Sequence, residues 1–167
     1  FILTPGNFAA LMAAPNLKLV AQPWVGTDWL DRGFLPKGLM VCNAGGHAGS
    51  MAEHVMASIL EHAIELRAQH ADMLGGRWYR SGRNSAPDAR HGHLNGKTLG
   101  LVGFGEIARA VVRRAKAFNM NCCAVARSAR EQTPDGLEWI GTQAELPRLL
   151  NESDYIALTC DLNAETE

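Results

Sequence analysis

Gly103, Gly105 and Ala108 stand in the order G-x-G-x-x-A, directly after the apolar run Thr98 to Val102 and at the start of a stretch with helical periodicity. A glycine at the first position permits a tight turn, and one at the second lets backbone approach a ligand with no Cβ in the way. A small residue at the third allows a helix to lie close on a strand. Backbone N–H groups near Glu106 and Ile107, in the first helical turn, would face an anion with the helix dipole behind them. Such a loop cradles the pyrophosphate of a dinucleotide. The competing reading is a strand-to-helix turn that needs glycine for geometry alone; the ordered succession of strand, turn, helix and second strand weighs against it. Glu106 would repel a pyrophosphate unless it turned away, and pairing with Arg109 or Arg113 would turn it.

The end of the second strand selects the nucleotide, because an Asp or Glu there accepts hydrogen bonds from the ribose hydroxyls of NAD. Ala126 occupies that place, followed by Arg127, Ser128 and Arg130. Guanidinium groups and a hydroxyl with no carboxylate suit the 2′-phosphate of NADP, through bidentate charge-assisted bonds. NADP is therefore expected over NAD, with NAD still open; a solvated basic turn is the other reading of the same residues.

These groups need a scaffold, and the periodicity supplies one. From Lys97 onward strands and helices alternate: strand Thr98 to Val102, helix Glu106 to Phe118 with Ile107, Ala110, Val111, Ala115 and Phe118 inward, strand Cys122 to Ala126, a weak strand Leu137 to Ile140, helix Ala144 to Leu150, and strand Tyr155 to Cys160. Alternation of this kind predicts an α/β fold of the Rossmann type, a doubly wound parallel sheet. Ahead of it, Phe1 to Thr4, Leu17 to Ala21 and Leu39 to Cys42 read as strands, with a short helix from the N-cap Asn7 through Met12. That pattern suits the later part of a smaller α/β domain. Between the two, Ser50 to Leu74 has a helical period ended by Gly75 and Gly76, and the polar run Ser81 to Gly96 reads as a surface loop. The organisation expected is part of an α/β domain at 1–48, a helix at 49–76 that can bridge two domains, and a dinucleotide domain at 77–167; the resemblance given below makes the first the substrate domain and the helix the interdomain hinge.

The 167 residues are 47% hydrophobic and 20% charged with a net charge of -1, which suits a packed globular chain and gives no broad cationic face for nucleic acid. No apolar run is long enough to cross a bilayer, and the start has no signal-peptide pattern, so a cytoplasmic location is expected. Cys42, Cys122, Cys123 and Cys160 lie in strand-like apolar runs without C-x-x-C spacing, and buried reduced thiols are expected. The chain starts at Phe1 and stops at Glu167 just after a strand-like run, and it reads as part of a longer protein.

Taken together, these residues resemble the D-isomer-specific 2-hydroxyacid dehydrogenases, and within them the glyoxylate/hydroxypyruvate reductases. The likeness is carried by Leu17 to Val20 with Val25-Gly26-Thr27-Asp28 and Leu30-Asp31, by Cys42-Asn43-Ala44 with Met51-Ala52-Glu53-His54-Val55, and by Leu94 to Gly100 running into the glycine loop. Asp154 to Cys160 with Leu162, Glu165 and Thr166 completes it. The resemblance implies a flavodoxin-like substrate domain ahead of the dinucleotide domain. It implies that backbone N–H groups of Val25 and Gly26 hold a substrate carboxylate, although these residues also read as an ordinary strand-ending turn. Cys160 and Asp161 would line the nucleotide pocket through backbone, the long helix would take part in a homodimer, and the substrate would be a small 2-keto or 2-hydroxy acid. Three departures stand out: Gly45 where the family commonly has proline, Glu106 where it has arginine, and Ala126 where it has the acid.

The family's arginine, glutamate and histidine for carbonyl polarisation and proton transfer are expected beyond Thr166, so no residue here is assigned a catalytic role. His54, His62 and His70 lie on the long helix without metal-site spacing, His91 and His93 in the polar loop, and His47 near the hinge. No metal is expected. The leading expectation is a reductase that passes hydride from NADPH to a 2-keto acid; the other is a dinucleotide-sensing binding protein or corepressor on the same fold.

Overall fold

A computed structural model of the chain describes residues 13–23, 25–26, 35–78, 92–161 and 166. The expected strand Phe1 to Thr4, the helix from Asn7, Thr27 to Asp31, most of the polar loop with His91, and Leu162 and Glu165 lie outside the described residues. Two compact units are present, Phe1–His47 with Asp161–Glu167, and Ala48–Cys160. Among the described residues no helix is long and apolar enough to cross a membrane.

In the first unit, β1 (Leu19–Gln22) and β2 (Met40–Asn43) form a parallel pair in the register Leu19 to Met40 through Gln22 to Asn43. Both strands end one residue later than the apolar runs suggested. Val20 and Gln22 point inward while Leu19 and Ala21 are exposed, as the period of two along a strand requires. Cys42 is exposed, against the expectation of a buried thiol, because β2 carries its burial on Val41 alone, and only partly.

The second unit begins with two helices where one was expected, α1 (Ala48–Ile64) and α2 (Leu66–Leu74). Glu65 separates them with a left-handed backbone, φ 56°. Side chains satisfy the backbone groups freed at the break. The Glu61 carboxylate accepts from the Arg67 backbone N–H at 3.2 Å and from Arg67 Nε at 3.0 Å, and the Gln69 amide donates to the Ile64 carbonyl.

The sheet that follows has the order β5-β4-β3-β6, all parallel, from β3 (Thr98–Val102), β4 (Asn121–Val125), β5 (Trp139–Gly141) and β6 (Tyr155–Leu158). Helix α3 (Glu106–Ala117) crosses from β3 to β4, and a 3-10 turn (Gln143–Glu145) leads into α4 (Leu146–Glu152). Alternation along β3 and β4 sorts the core. Leu99, Leu101, Cys122 and Ala124 meet α1 and α3 through Ala52, Met56, Ile59, Ala108, Val111 and Ala115, while Cys123 and Val125 meet Leu149 of α4. Helices thus cover both faces, the doubly wound arrangement. Glu53 of α1 and Arg114 of α3 add an ion pair at 2.9 Å.

Helix α3 ends in a Schellman closure: Met120 N–H donates to the Ala115 carbonyl and Asn119 N–H to that of Lys116, with Asn119 at φ 55°. The closure buries Met120 completely and leaves Phe118 at the cap, 40% exposed, so Phe118 is not the inward residue its spacing suggested. At the start of β3, Asp154 takes both Lys97 Nζ at 2.7 Å and the Thr98 backbone N–H at 2.8 Å, pinning the end of the sheet opposite the glycine loop.

Candidate functional site

The glycine loop leaves β3 at its carboxyl end. Gly103 adopts φ 94°, and a Cβ there would stand 2.7 Å from Cys160 N and 2.9 Å from Cys160 Cα, both backbone atoms that cannot swing aside. No other residue type fits. Its N–H donates to the Val125 carbonyl at 2.8 Å, tying the turn to the end of β4. Thr159 holds it from the other side: its N–H donates to the Val102 carbonyl at 2.8 Å and its Oγ1 to the Gly103 carbonyl at 2.9 Å. Three strand ends converge on one turn.

Gly105 differs. It caps α3 from an ordinary extended backbone, φ −98°, and a Cβ built on it meets nothing within 4 Å. The space a side chain would fill is open, as a ligand pressed against the backbone requires. The first intrahelical bond of α3 runs from Arg109 N–H to the Gly105 carbonyl at 3.1 Å, so the N–H groups of Glu106, Ile107 and Ala108 precede the ladder. Ala108 is fully buried against the sheet. An open cradle, unladdered donors and a helix terminus behind them fit a pyrophosphate. Glu106 is exposed on that turn and makes no ion pair with Arg109 or Arg113 among the described residues.

Beyond β4, Ala126 donates its N–H to the Gly141 carbonyl at 2.9 Å, and Arg127 and Ser128 follow on the surface. Arg130 turns back to the loop: its Nη2 donates to the Phe104 carbonyl at 3.3 Å, and its guanidinium lies 5.5 Å from the centroid of the Phe104 ring. Arg109 reaches the same ring at 5.0 Å. Phe104, between the two glycines, is 7% exposed. Gly103, Gly105, Glu106, Ile107, Arg130 and Cys160 are therefore gathered at one end of the sheet, with Arg127 and Ser128 just past the strand that anchors the turn.

Cys160 contributes backbone to this corner, and its thiol is exposed, another departure from the buried cysteines expected. The two interior thiols are poor nucleophiles, since burial pushes Cys122 up to about 11 and raises Cys123 as well. Asp161 belongs to the first unit, where its carbonyl accepts from Thr166 Oγ1 at 2.6 Å.

Val25 and Gly26 lie in the first unit past β1. The Gly26 carbonyl accepts from Gln22 Nε2 at 3.0 Å and the Val25 carbonyl from Asn43 Nδ2 at 2.7 Å. Gln22 and Asn43 face each other as the last pair of the β1–β2 ladder, so one rung holds both carbonyls of the loop. The donors such a loop then has to offer an anion are its backbone N–H groups. Gln22 is 4% exposed, and its Oε1 has no partner among the described residues.

Sequence reasoning missed Thr159, Phe104 and the Gln22–Asn43 rung. Each acts through a contact made by folding, and no local pattern signals it.

The pattern that defines the family described as "D-isomer specific 2-hydroxyacid dehydrogenase, NAD binding domain" matches residues 56–167. A glyoxylate reductase of Thermococcus litoralis is 36% identical over 157 residues, covering 92% of this chain and 46% of that protein. A hydroxypyruvate reductase of Thermotoga maritima is 33% identical over 156 residues, covering 92% of this chain and 47% of its own. The chain thus spans about half the length of the curated relatives it matches. Among solved structures, a D-isomer specific 2-hydroxyacid dehydrogenase family protein from Aeromonas salmonicida superposes with a TM-score of 0.79 at 24% identity, covering 96% of this chain and 49% of that one. At that identity the likeness is one of fold.

Proposed function

From the premise that this chain belongs to the D-isomer specific 2-hydroxyacid dehydrogenase family, we propose that the complete protein reduces a small 2-keto acid, glyoxylate or hydroxypyruvate, with NADPH in preference to NADH. The carrying observation is the glycine loop with its open Gly105 beside a β4 end that has Ala126 in place of an acid and then Arg127, Ser128 and Arg130. The dinucleotide, when bound, supplies the hydride. The residues present would hold it: Gly103 shapes the turn, Gly105 would admit the pyrophosphate, and the N–H groups of Glu106 and Ile107 would meet its charge. Arg127, Ser128 and Arg130 would meet the 2′-phosphate, and Cys160 and Asp161 would border the pocket through backbone. Val25 and Gly26 would hold the substrate carboxylate by their N–H groups, oriented by Gln22 and Asn43.

The names of the matched relatives support this substrate class. The same reading includes a cytoplasmic location, consistent with four free cysteines. It also includes a homodimer, consistent with exposed Met51, Leu66, Met73 and Leu74 on α1 and α2.

Fluorescence titration of the complete protein with each cofactor tests the preference. Charge-assisted bonds of ~1.5–3 kcal/mol predict NADPH binding tighter by at least about tenfold. Equal affinity, or tighter NADH, refutes the cofactor assignment, and absence of NADPH consumption with both keto acids refutes the substrate class.

A further inference from the structure

The described arginines fall into two sets. Arg67, Arg77, Arg114 and Arg148 each hold a carboxylate, from Glu61, Asp72, Glu53 and Glu152 respectively. Arg109, Arg113, Arg127 and Arg130 hold none among the described residues. Three of these four stand at the glycine-loop end of the sheet, and Arg113 lies one turn further along α3.

Arg109 and Arg130 come from different elements, the first turn of α3 and the segment after β4, yet both guanidinium groups are brought to the Phe104 ring, at 5.0 and 5.5 Å from its centroid. Two like charges at one aromatic ring repel each other. A cation at the amino end of a helix also meets the positive end of the dipole. Glu106, the one acidic residue on that turn, pairs with neither. The ring offsets part of this cost, and an anion carrying close to two charges would offset the rest.

A 2′-phosphate carries such a charge and presents three acceptor oxygens to planar guanidinium forks. Resting on the NADPH reading above, we propose that Arg109 is a specificity-determining residue for NADPH, a second cationic arm that acts with Arg130 around Phe104 to grip the 2′-phosphate. Arg109 lies outside the segment after β4, where nucleotide choice is ordinarily read, and its guanidinium rests 5.0 Å from the centroid of the Phe104 ring.

The test is the affinity of the complete protein for NADPH, for NADH and for adenosine 2′,5′-bisphosphate, in wild type, Arg109→Gln, Arg109→Lys and Arg113→Gln. Arg109 is exposed, so the variants should melt with the wild type. The expected result is that Arg109→Gln weakens NADPH and the bisphosphate by about tenfold or more and leaves NADH unchanged, that Arg109→Lys retains part of the preference, and that Arg113→Gln changes nothing. A wild-type NADPH preference that survives Arg109→Gln overturns the assignment alone, as does an equal loss of NADPH and NADH. Wild-type protein that binds both cofactors equally overturns the NADPH reading and this assignment with it.

Discussion

Replacing each of the two loop glycines by alanine separates backbone geometry from ligand space. At Gly103 the added methyl meets two penalties. A backbone at φ 94° is disfavoured for an L-residue by ~1–2 kcal/mol. The Cβ would also stand 2.7 Å from Cys160 N and 2.9 Å from the Thr159 carbonyl carbon, and overpacking against atoms that cannot rotate away costs ~1–3 kcal/mol. Together they predict a loss of about 2–5 kcal/mol, a fall in Tm on the order of 10 °C. At Gly105 the backbone is ordinary and the space is open, so Gly105→Ala should cost only about 1 kcal/mol, the usual preference of glycine over alanine at an N-cap. Its effect belongs to the ligand: the methyl occupies the approach of the pyrophosphate, and NADPH affinity should fall by about tenfold or more. Urea unfolding, read as a shift in midpoint at constant slope, measures the first effect, and cofactor titration measures the second. Equal stability of the two variants, or wild-type NADPH affinity in Gly105→Ala, would refute the division of labour.

Burial raises the Cys122 thiol to about 11 from an ordinary value of 9.0, so between those values the folded chain keeps a proton that the unfolded chain has lost, and stability falls as pH rises through that window. The urea midpoint should therefore drop between neutral pH and pH ~10 less in Cys122→Ala than in wild type; an equal or larger drop in the variant contradicts the assignment. In the loop of the first unit, Asn43→Asp removes the donor to the Val25 carbonyl at 2.7 Å and sets a carboxylate there instead. In the complete protein KM for the keto acid should rise by about tenfold with NADPH affinity unchanged, and an unaltered KM would show that the rung does not position the loop.

The dinucleotide half of the molecule was legible because its signals are local. Gly103 and Gly105 advertise a φ value and an empty volume, and the strand-helix-strand alternation from Thr98 to Val125 needs no knowledge of distant residues. What escaped prediction depends on contacts between segments far apart or on competition between similar local states. Thr159 is 56 residues from the carbonyl its hydroxyl clamps. Glu65 is a good helix former, and nothing in its type announces a left-handed backbone; the break stands because Glu61 and Gln69 occupy the freed groups. Apolar runs around Cys42 and Cys160 indicate strands, yet a strand buries a residue only where another layer covers it, as none covers Cys42 among the described residues, and β6 ends at Leu158, so Cys160 lies past the strand in an exposed bend. Arg109 is exposed on α3, and only the position of Phe104 reveals that its guanidinium reaches the loop.

The ion pair between Glu53 and Arg114 joins residues 61 positions apart in the chain, and the same separation divides the apolar stripe of α1 from the helix that covers it. A ribosome adding roughly 5–20 residues per second delivers α3 some 3–12 seconds after α1. Throughout that interval Ala52, Met56 and Ile59 lack the α3 side chains that cover them, Ala108, Val111 and Ala115. The first helix of this unit is thus made early and covered late, so the span between its synthesis and that of α3 is the time in which a chaperone can act on it, and slowed translation across residues 65–105 would lengthen that exposure and lower the yield of folded protein.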